Sequence, residues 1–77
     1  MTQQEIEENA FAKGIREIAA RSSREASIAR AEIQKALGVK KAAYYNRQNG
    51  FVKHTNIERD GLLRIFRRHK VTQPWGL

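Results

Sequence analysis

Two short glycine motifs in the middle of this chain limit how it can fold. A Leu-Gly-Val at 37–39 ends one apolar pattern, and an Asn-Gly follows at 49–50. Glycine adopts the left-handed conformation at little cost, so both motifs are typical helix stops. Between them, residues 40–48 carry lysines, tyrosines, an arginine and amides. The spacing predicts a short polar helix over 40–48, joined to the preceding helix by a tight turn.

The remainder of the chain also favours helices. Ala, Glu, Lys, Arg, Gln, Leu and Ile dominate it, and the only proline is Pro74. The apolar period predicts a first helix over about 3–20, with Phe11, Ile15 and Ile18 on its buried face. We expect Ala19 to lie beside this face, and Gly14 to permit close packing. Ile6 points elsewhere, as frayed surface or as a contact with another subunit.

Residues 22–37 allow two interpretations. Ser22 and Glu25 have the spacing of a capping box, which predicts an unbroken helix to residue 37. Alternatively, a short turn precedes a helix that begins near Ile28. The chain is therefore expected to be all-α, with four helices or five, and to form a single domain over 1–77. In both interpretations Ile33 and its neighbours Ala36 and Leu37 face inward, and Gly38 caps the helix end.

A last helix is predicted from Thr55 to about residue 69. Thr55 and Glu58 repeat the capping-box spacing. The predicted buried side chains of this helix are Ile57, Leu62, Ile65 and Phe66. Gly61 interrupts the helix at a cost of about 1 kcal/mol relative to alanine, which predicts a close approach of another helix. We expect Phe51 to fill the edge of the core, and Val71 with Trp75 to form a hydrophobic clasp.

The distribution of charge indicates a polyanionic partner. The 77 residues carry a net charge of +7. Residues 1–20 contain two basic and four acidic residues, whereas 21–70 contain thirteen and four, a local balance of +9. A local basic surface favours nucleic acid, and a solvated basic face is the alternative. Cysteine is absent and no apolar run of about 20 residues exists, so we expect a cytoplasmic protein without a membrane span.

The helix over 40–48 has one outward face suited to reading DNA. With Tyr44 directed to the core, a period of about 3.6 residues turns Ala42 and Asn46 outward, with Tyr45 and Lys41 beside them. Asparagine can bond adenine through two atoms, lysine can reach guanine or phosphate, and alanine can meet a thymine methyl. An ordinary polar surface helix is the competing interpretation of these four residues.

Residues 31–50, AEIQKALGVKKAAYYNRQNG, resemble the helix-turn-helix unit of the lambda repressor and Cro superfamily, often called the Xre family. The matching residues are Glu32, Ile33, Ala36, Leu37, Gly38, Val39, Tyr44, Asn49 and Gly50. The aromatic pair at 44–45 and the Trp-Gly at 75–76 also resemble short phage or mobile-element regulators of Bacteroidetes. The resemblance implies a lambda repressor-like bundle with an N-terminal helix over 1–21, a helix-turn-helix over 28–50, and a C-terminal helix and tail over 56–77.

The resemblance also implies roles for individual residues. Lys41, Ala42, Tyr45 and Asn46 correspond to positions that face base edges. The expected phosphate partners are Arg30, Lys40, Arg47 and Lys53. Arg47 replaces the family's large apolar residue, so its stem must lie on the core while its head reaches solvent or a phosphate. The implied function is sequence-specific binding of double-stranded DNA by a bacterial transcription regulator, working as a homodimer for which residues 1–20 are a candidate surface.

Other functions have weaker support in the sequence. A protein–protein interaction module of the same fold is the main alternative. His54 and His69 are the only histidines, and no Ser-His-acid set or glycine-rich phosphate loop is evident, so neither an enzyme nor a metal site is expected. His69 is instead expected near a helix C-terminus, where the helix dipole favours it. No cofactor, small-molecule substrate or membrane partner is predicted.

Overall fold

The computed structural model describes residues 10–75, which contain four helices and no strand. The helices are α1 (Ala12–Arg21), α2 (Ser23–Leu37), α3 (Lys41–Gln48) and α4 (Asn56–Arg68). The all-α prediction is therefore confirmed. The first helix begins at Ala12, so the prediction of a helix over 3–20 was wrong at residues 10 and 11, where Phe11 is the N-cap. Its predicted start at residue 3 lies outside the described residues. No helix of residues 10–75 is long and apolar enough to cross a membrane.

Local sequence signals set the helix ends. The Ser22 hydroxyl accepts the amide of Glu25 at 3.2 Å, and α2 then continues unbroken, so the interpretation with four helices is the one observed. Gly38 ends α2 with a φ of 67°, a left-handed conformation that glycine adopts without strain. At the start of α4, Thr55 and Glu58 form the complete reciprocal capping box.

Phe11 lies at the centre of the core. It is fully buried immediately before α1, and its ring centroid is 5.8 Å from that of Tyr44 and 6.0 Å from that of Phe66. The other large buried side chains are Ile15, Ile18, Ile33, Leu62, Ile65 and Val71. α2 packs against each of the other three helices. This single core therefore contains side chains from all four helices.

The segment after α4 closes the core against α1. Val71 is fully buried and Trp75 is 8% exposed, which confirms the predicted hydrophobic clasp. The carbonyl of Pro74 accepts the amide of Gly14 at 3.0 Å, so the tail satisfies a backbone donor in the first turn of α1. The Trp75 indole donates to His54 Nε2 at 3.3 Å, and the Arg59 guanidinium lies 4.1 Å from its ring centroid.

His69 links the end of α4 to α2. Its Nε2 lies 2.7 Å from Glu32 Oε1, and its Nδ1 lies 3.4 Å from Glu25 Oε1. Arg68 contacts the other oxygen of Glu32 at 3.0 Å, and Arg21 donates to the His69 carbonyl. His69 is the C-terminal cap of α4, as expected from its position, but side-chain contacts with carboxylates fix it there as well.

Several predicted core positions are instead exposed. Ile57 is 85% exposed, because it lies about 140° around α4 from Leu62, which faces the core. Phe51 is 62% exposed in the loop before α4. Ala36 is exposed near the end of α2, and Leu37 is half-buried. The predictions of burial for Ile57, Phe51 and Ala36 were therefore wrong.

The two helical glycines have opposite surroundings. A Cβ added to Gly14 would lie 2.6 Å from Phe66 Cε1 and 2.6 Å from Pro74 Cβ, which confirms the close packing predicted there. A Cβ added to Gly61 would meet no described atom within 4 Å. The prediction that another helix of this chain approaches Gly61 is thus wrong within residues 10–75.

The different surroundings of Gly14 and Gly61 predict opposite effects of substitution by alanine. Gly61→Ala should raise the free energy of unfolding by about 1 kcal/mol, because alanine favours the helix and meets no obstacle. Gly14→Ala should lower it by about 1–3 kcal/mol, because the new methyl must displace Phe66 and the tail. Urea unfolding of both variants checks this. A gain in stability for Gly14→Ala would contradict the observed packing.

The pair of Trp75 and His54 predicts a loss of stability in mild acid. Burial, and then the positive charge of Arg59, lower the pKa of His54 below its ordinary value of 6.5. Above pH 6.5 the histidine is neutral in both the folded and unfolded states. As the pH falls below 6.5 the unfolded chain binds the proton first, so the free energy of unfolding should fall until the folded-state pKa is reached. Urea unfolding across this pH range measures the loss.

His54→Gln is the matched control for this effect, because glutamine keeps an acceptor for the indole and does not titrate. We expect the variant to lose the part of the pH dependence that begins at 6.5. An unchanged pH profile would show that His54 is not the titrating group. NMR titration of the His54 ring provides the folded-state pKa directly.

Candidate nucleic-acid interface

The buried ring of Tyr44 fixes the orientation of α3. Tyr44 is 1% exposed, and its hydroxyl donates to Gln48 Oε1 at 2.7 Å. Burial raises the pKa of Tyr44 well above its ordinary range, so the phenol remains a neutral donor. The carbonyl of Gln48 accepts the amide of Phe11 at 3.1 Å, which joins the end of α3 to the start of α1. The helix is therefore held at both its middle and its end.

The opposite face of α3 is open to solvent. Lys41, Ala42, Tyr45 and Asn46, the predicted base contacts, are all exposed, with Tyr45 at 39%. The Tyr45 ring contacts the edge of Tyr44, with centroids 5.1 Å apart and planes at 76°. This contact restrains the exposed phenol of Tyr45, which lies on the same face as the Lys41 ammonium, the Ala42 methyl and the Asn46 amide.

A cleft between α2 and α3 adjoins this face. It has a volume of about 180 Å³ and is lined by Ser27, Arg30, Ala31, Gln34, Lys41, Tyr44 and Tyr45. The predicted phosphate partner Arg30 thus lies beside the predicted base contacts Lys41 and Tyr45. Two of the lining side chains are cationic and none is a carboxylate. Such a cleft attracts an anion that offers several oxygen acceptors.

Arg30 is partly committed within α2. Its Nη2 donates to the Ser27 hydroxyl at 3.3 Å, while the residue stays half-buried. One guanidinium has five N–H donors, so most of its hydrogen-bonding capacity is available to a ligand. The hydrogen bond to Ser27 directs the head of Arg30 along α2 and limits its rotamers.

Arg47 has a partner within the protein. Its Nη1 lies 3.0 Å from Glu58 Oε1, and the two side chains are only 18% and 26% exposed. The same carboxylate accepts the Thr55 amide at 2.8 Å. That backbone hydrogen bond, followed by the hydrogen bond and charge of Arg47, lowers the pKa of Glu58. Arg47 therefore joins α3 to the capping box of α4 rather than extending into solvent.

The remaining predicted phosphate partners flank α3. Lys40 is the N-cap residue of α3 and is exposed, and its side chain makes no capping hydrogen bond. Lys53 is exposed in the loop between α3 and α4. The first turn of α3 contains no acidic residue. The backbone amides at this helix end and the two lysines are therefore all positive, and they attract anions together. Neither lysine lines the cleft that contains Arg30.

Sequence reasoning did not select Ser27 and Gln34, which also line the cleft. The helical period could have found them, because residues 27, 30, 31 and 34 recur at intervals of three and four and therefore share a face of α2. The missing information was that α3 crosses α2 along this particular face, which is a tertiary contact.

Within residues 10–75, no group of three or more His, Asp or Glu side chains could hold a metal ion. In comparisons with known proteins, the chain matches no family model, no curated protein and no solved structure. The geometry and charge of the α2–α3 surface are the features of this chain that bear on its function.

The position of Arg47 generates a direct test. Arg47→Met keeps the apolar stem and removes the ion pair, so it should lower the free energy of unfolding by about 1 kcal/mol. The matched exposed substitution Lys41→Met should leave stability within about 0.5 kcal/mol. Urea unfolding distinguishes the two. Full stability of Arg47→Met would show that Glu58 does not hold this guanidinium in solution.

Proposed function

We propose that this protein binds double-stranded DNA in a sequence-dependent manner, with α3 in the major groove. α2 and α3 then act as a helix-turn-helix joined at Gly38, as the resemblance to the lambda repressor and Cro superfamily implies. The observation that carries the proposal is the combination of a core-anchored α3 with an exposed polar outer face and an adjoining cationic cleft. A transcription regulator is the role that follows.

In this proposal two groups of residues have different tasks. Asn46, Lys41 and Tyr45 contact base edges, and Ala42 permits close approach of α3 to the groove floor. Arg30, Lys40 and Lys53 contact phosphates and position the helix without reading sequence. Arg47 is omitted from this second group because Glu58 already neutralises it.

The charge distribution supports a polyanion over a neutral protein partner. The cleft beside α3 contains cations without carboxylates, so a phosphate entering it meets attraction from Arg30 and Lys41 and no nearby repulsion. A ligand held in this way must show a strong dependence on salt, since each phosphate contact releases counterions. A protein partner held by apolar contacts would depend much less on salt.

The test is selection from a pool of random duplex DNA across a salt series, followed by sequencing of the retained fraction. We expect an enriched motif, and a fall in log affinity of about 0.9 per phosphate contact for each unit of log salt. A salt slope without a motif would indicate non-specific binding. No retention at low salt would contradict the proposal and favour the protein-interaction module.

Substitutions in α3 then test which residues read the sequence. Asn46→Ala and Lys41→Ala should each weaken binding to the enriched site by about 1–3 kcal/mol, with folding intact. Arg16→Ala, on the exposed face of α1, removes one charge at a distance and is the matched control for Lys41→Ala. Equal losses for Arg16→Ala and Lys41→Ala on specific and random DNA would contradict base reading by Lys41.

A further inference from the structure

The outer face of α4 has features that no contact within residues 10–75 explains. This α4 face consists of Ile57, Asp60, Gly61 and Arg64, which recur at intervals of three and four and so lie on one side of the helix. Ile57 is 85% exposed, the largest exposure among the large apolar side chains described. Gly61 has no described atom within 4 Å of an added Cβ. The face therefore has an exposed apolar side chain at Ile57 and no projecting side chain at Gly61.

A groove runs along this face between α4 and the end of α2. It has a volume of about 430 Å³, and its apolar lining comes from Ala36, Leu37, Ile57, Gly61 and Leu62. Ala36 and Leu37, two residues predicted to be buried, are part of this lining. A second helix packed here would cover the residues whose exposure departs from the sequence prediction.

The charged residues of the α4 face can pair with the same residues of a second copy. Asp60 and Arg64 are one helical turn apart, and the ion pairs found within residues 10–75 include neither of them. If a second α4 packs antiparallel, a two-fold axis near Gly61 brings Asp60 of each helix opposite Arg64 of the other. An interface between identical copies requires this self-complementarity. A polyanion would meet repulsion from Asp60, so the face does not suit nucleic acid.

We propose that two copies of this chain associate through the α4 face, with their α4 helices antiparallel and in close contact at Gly61. The glycine allows the two backbones to approach, which offsets its low helix propensity in each copy. Ile57 becomes buried in the interface, and two equivalent ion pairs form between Asp60 and Arg64. This association needs no DNA, so it can hold or fail independently of the proposed function.

Sedimentation equilibrium of the full chain over a wide concentration range, without DNA, tests the proposal. We expect a reversible dimer, with Ile57→Ser raising its dissociation constant at least about tenfold. Ile28→Ser is the matched control, because Ile28 is 48% exposed on α2 and outside the α4 face, and it should leave the dimer intact. A chain that stays monomeric throughout would overturn the proposal.

Gly61→Ala separates association from folding. The added methyl stabilises the isolated helix but holds two α4 backbones apart, so a more heat-resistant chain should form a weaker dimer.

Charge reversal at Asp60 and Arg64 is a second test of the proposed interface. Asp60→Lys and Arg64→Glu should each weaken the dimer, and the double variant should restore it. A dimer that persists in all these variants would overturn the proposal and direct attention to another surface, such as residues 1–20.

Discussion

The contact between Tyr44 and Phe11 determines which surface α3 exposes. α3 has only eight residues, too few to be stable alone in water, so its existence depends on this packing. Once the Tyr44 ring is buried, the helical period places Ala42 and Asn46 about 160° away, on the solvent side. Phe11 also contacts Phe66 and donates its amide to the end of α3. One aromatic cluster therefore joins α1, α3 and α4 and presents the polar face of α3.

The two ends of α2 and the start of α4 could be predicted from sequence because their signals are local. Ser22, Gly38 and Thr55 act on backbone groups within a few residues, and each has the role that its spacing predicts. The helical period and the burial of Tyr44 were sufficient to predict the exposure of Lys41, Ala42, Tyr45 and Asn46. The ion pair of Arg47 with Glu58 could not be predicted in this way, because eleven residues separate the two and only the packing of α3 and α4 against α2 brings them together. The exposure of Ile57 has a different origin, since the helical period alone places it about 140° from the buried Leu62.

The positions and contacts of the acidic residues determine where the excess positive charge of the chain lies. Residues 21–70 contain four carboxylates, Glu25, Glu32, Glu58 and Asp60. Three of them contact side chains of other helices or their ends, since Glu58 contacts Arg47, Glu32 contacts Arg68 and His69, and Glu25 contacts His69. None of the three lines the cleft of Arg30 and Lys41, whose described lining contains no acidic side chain. Net charge predicts a polyanionic partner, whereas the arrangement of the pairs decides which surface could meet it.

The fourth carboxylate, Asp60, belongs to the α4 face, and the small size of the domain explains why such a face can matter. A domain near this length buries only about 60% of the surface that its unfolded chain exposes, so it has little stability in reserve. A glycine inside α4 reduces that reserve, and an exposed isoleucine adds almost nothing to it unless a further contact buries it. Anything that binds only the folded chain stabilises it by mass action, and a second copy would do so at the concentrations where it associates.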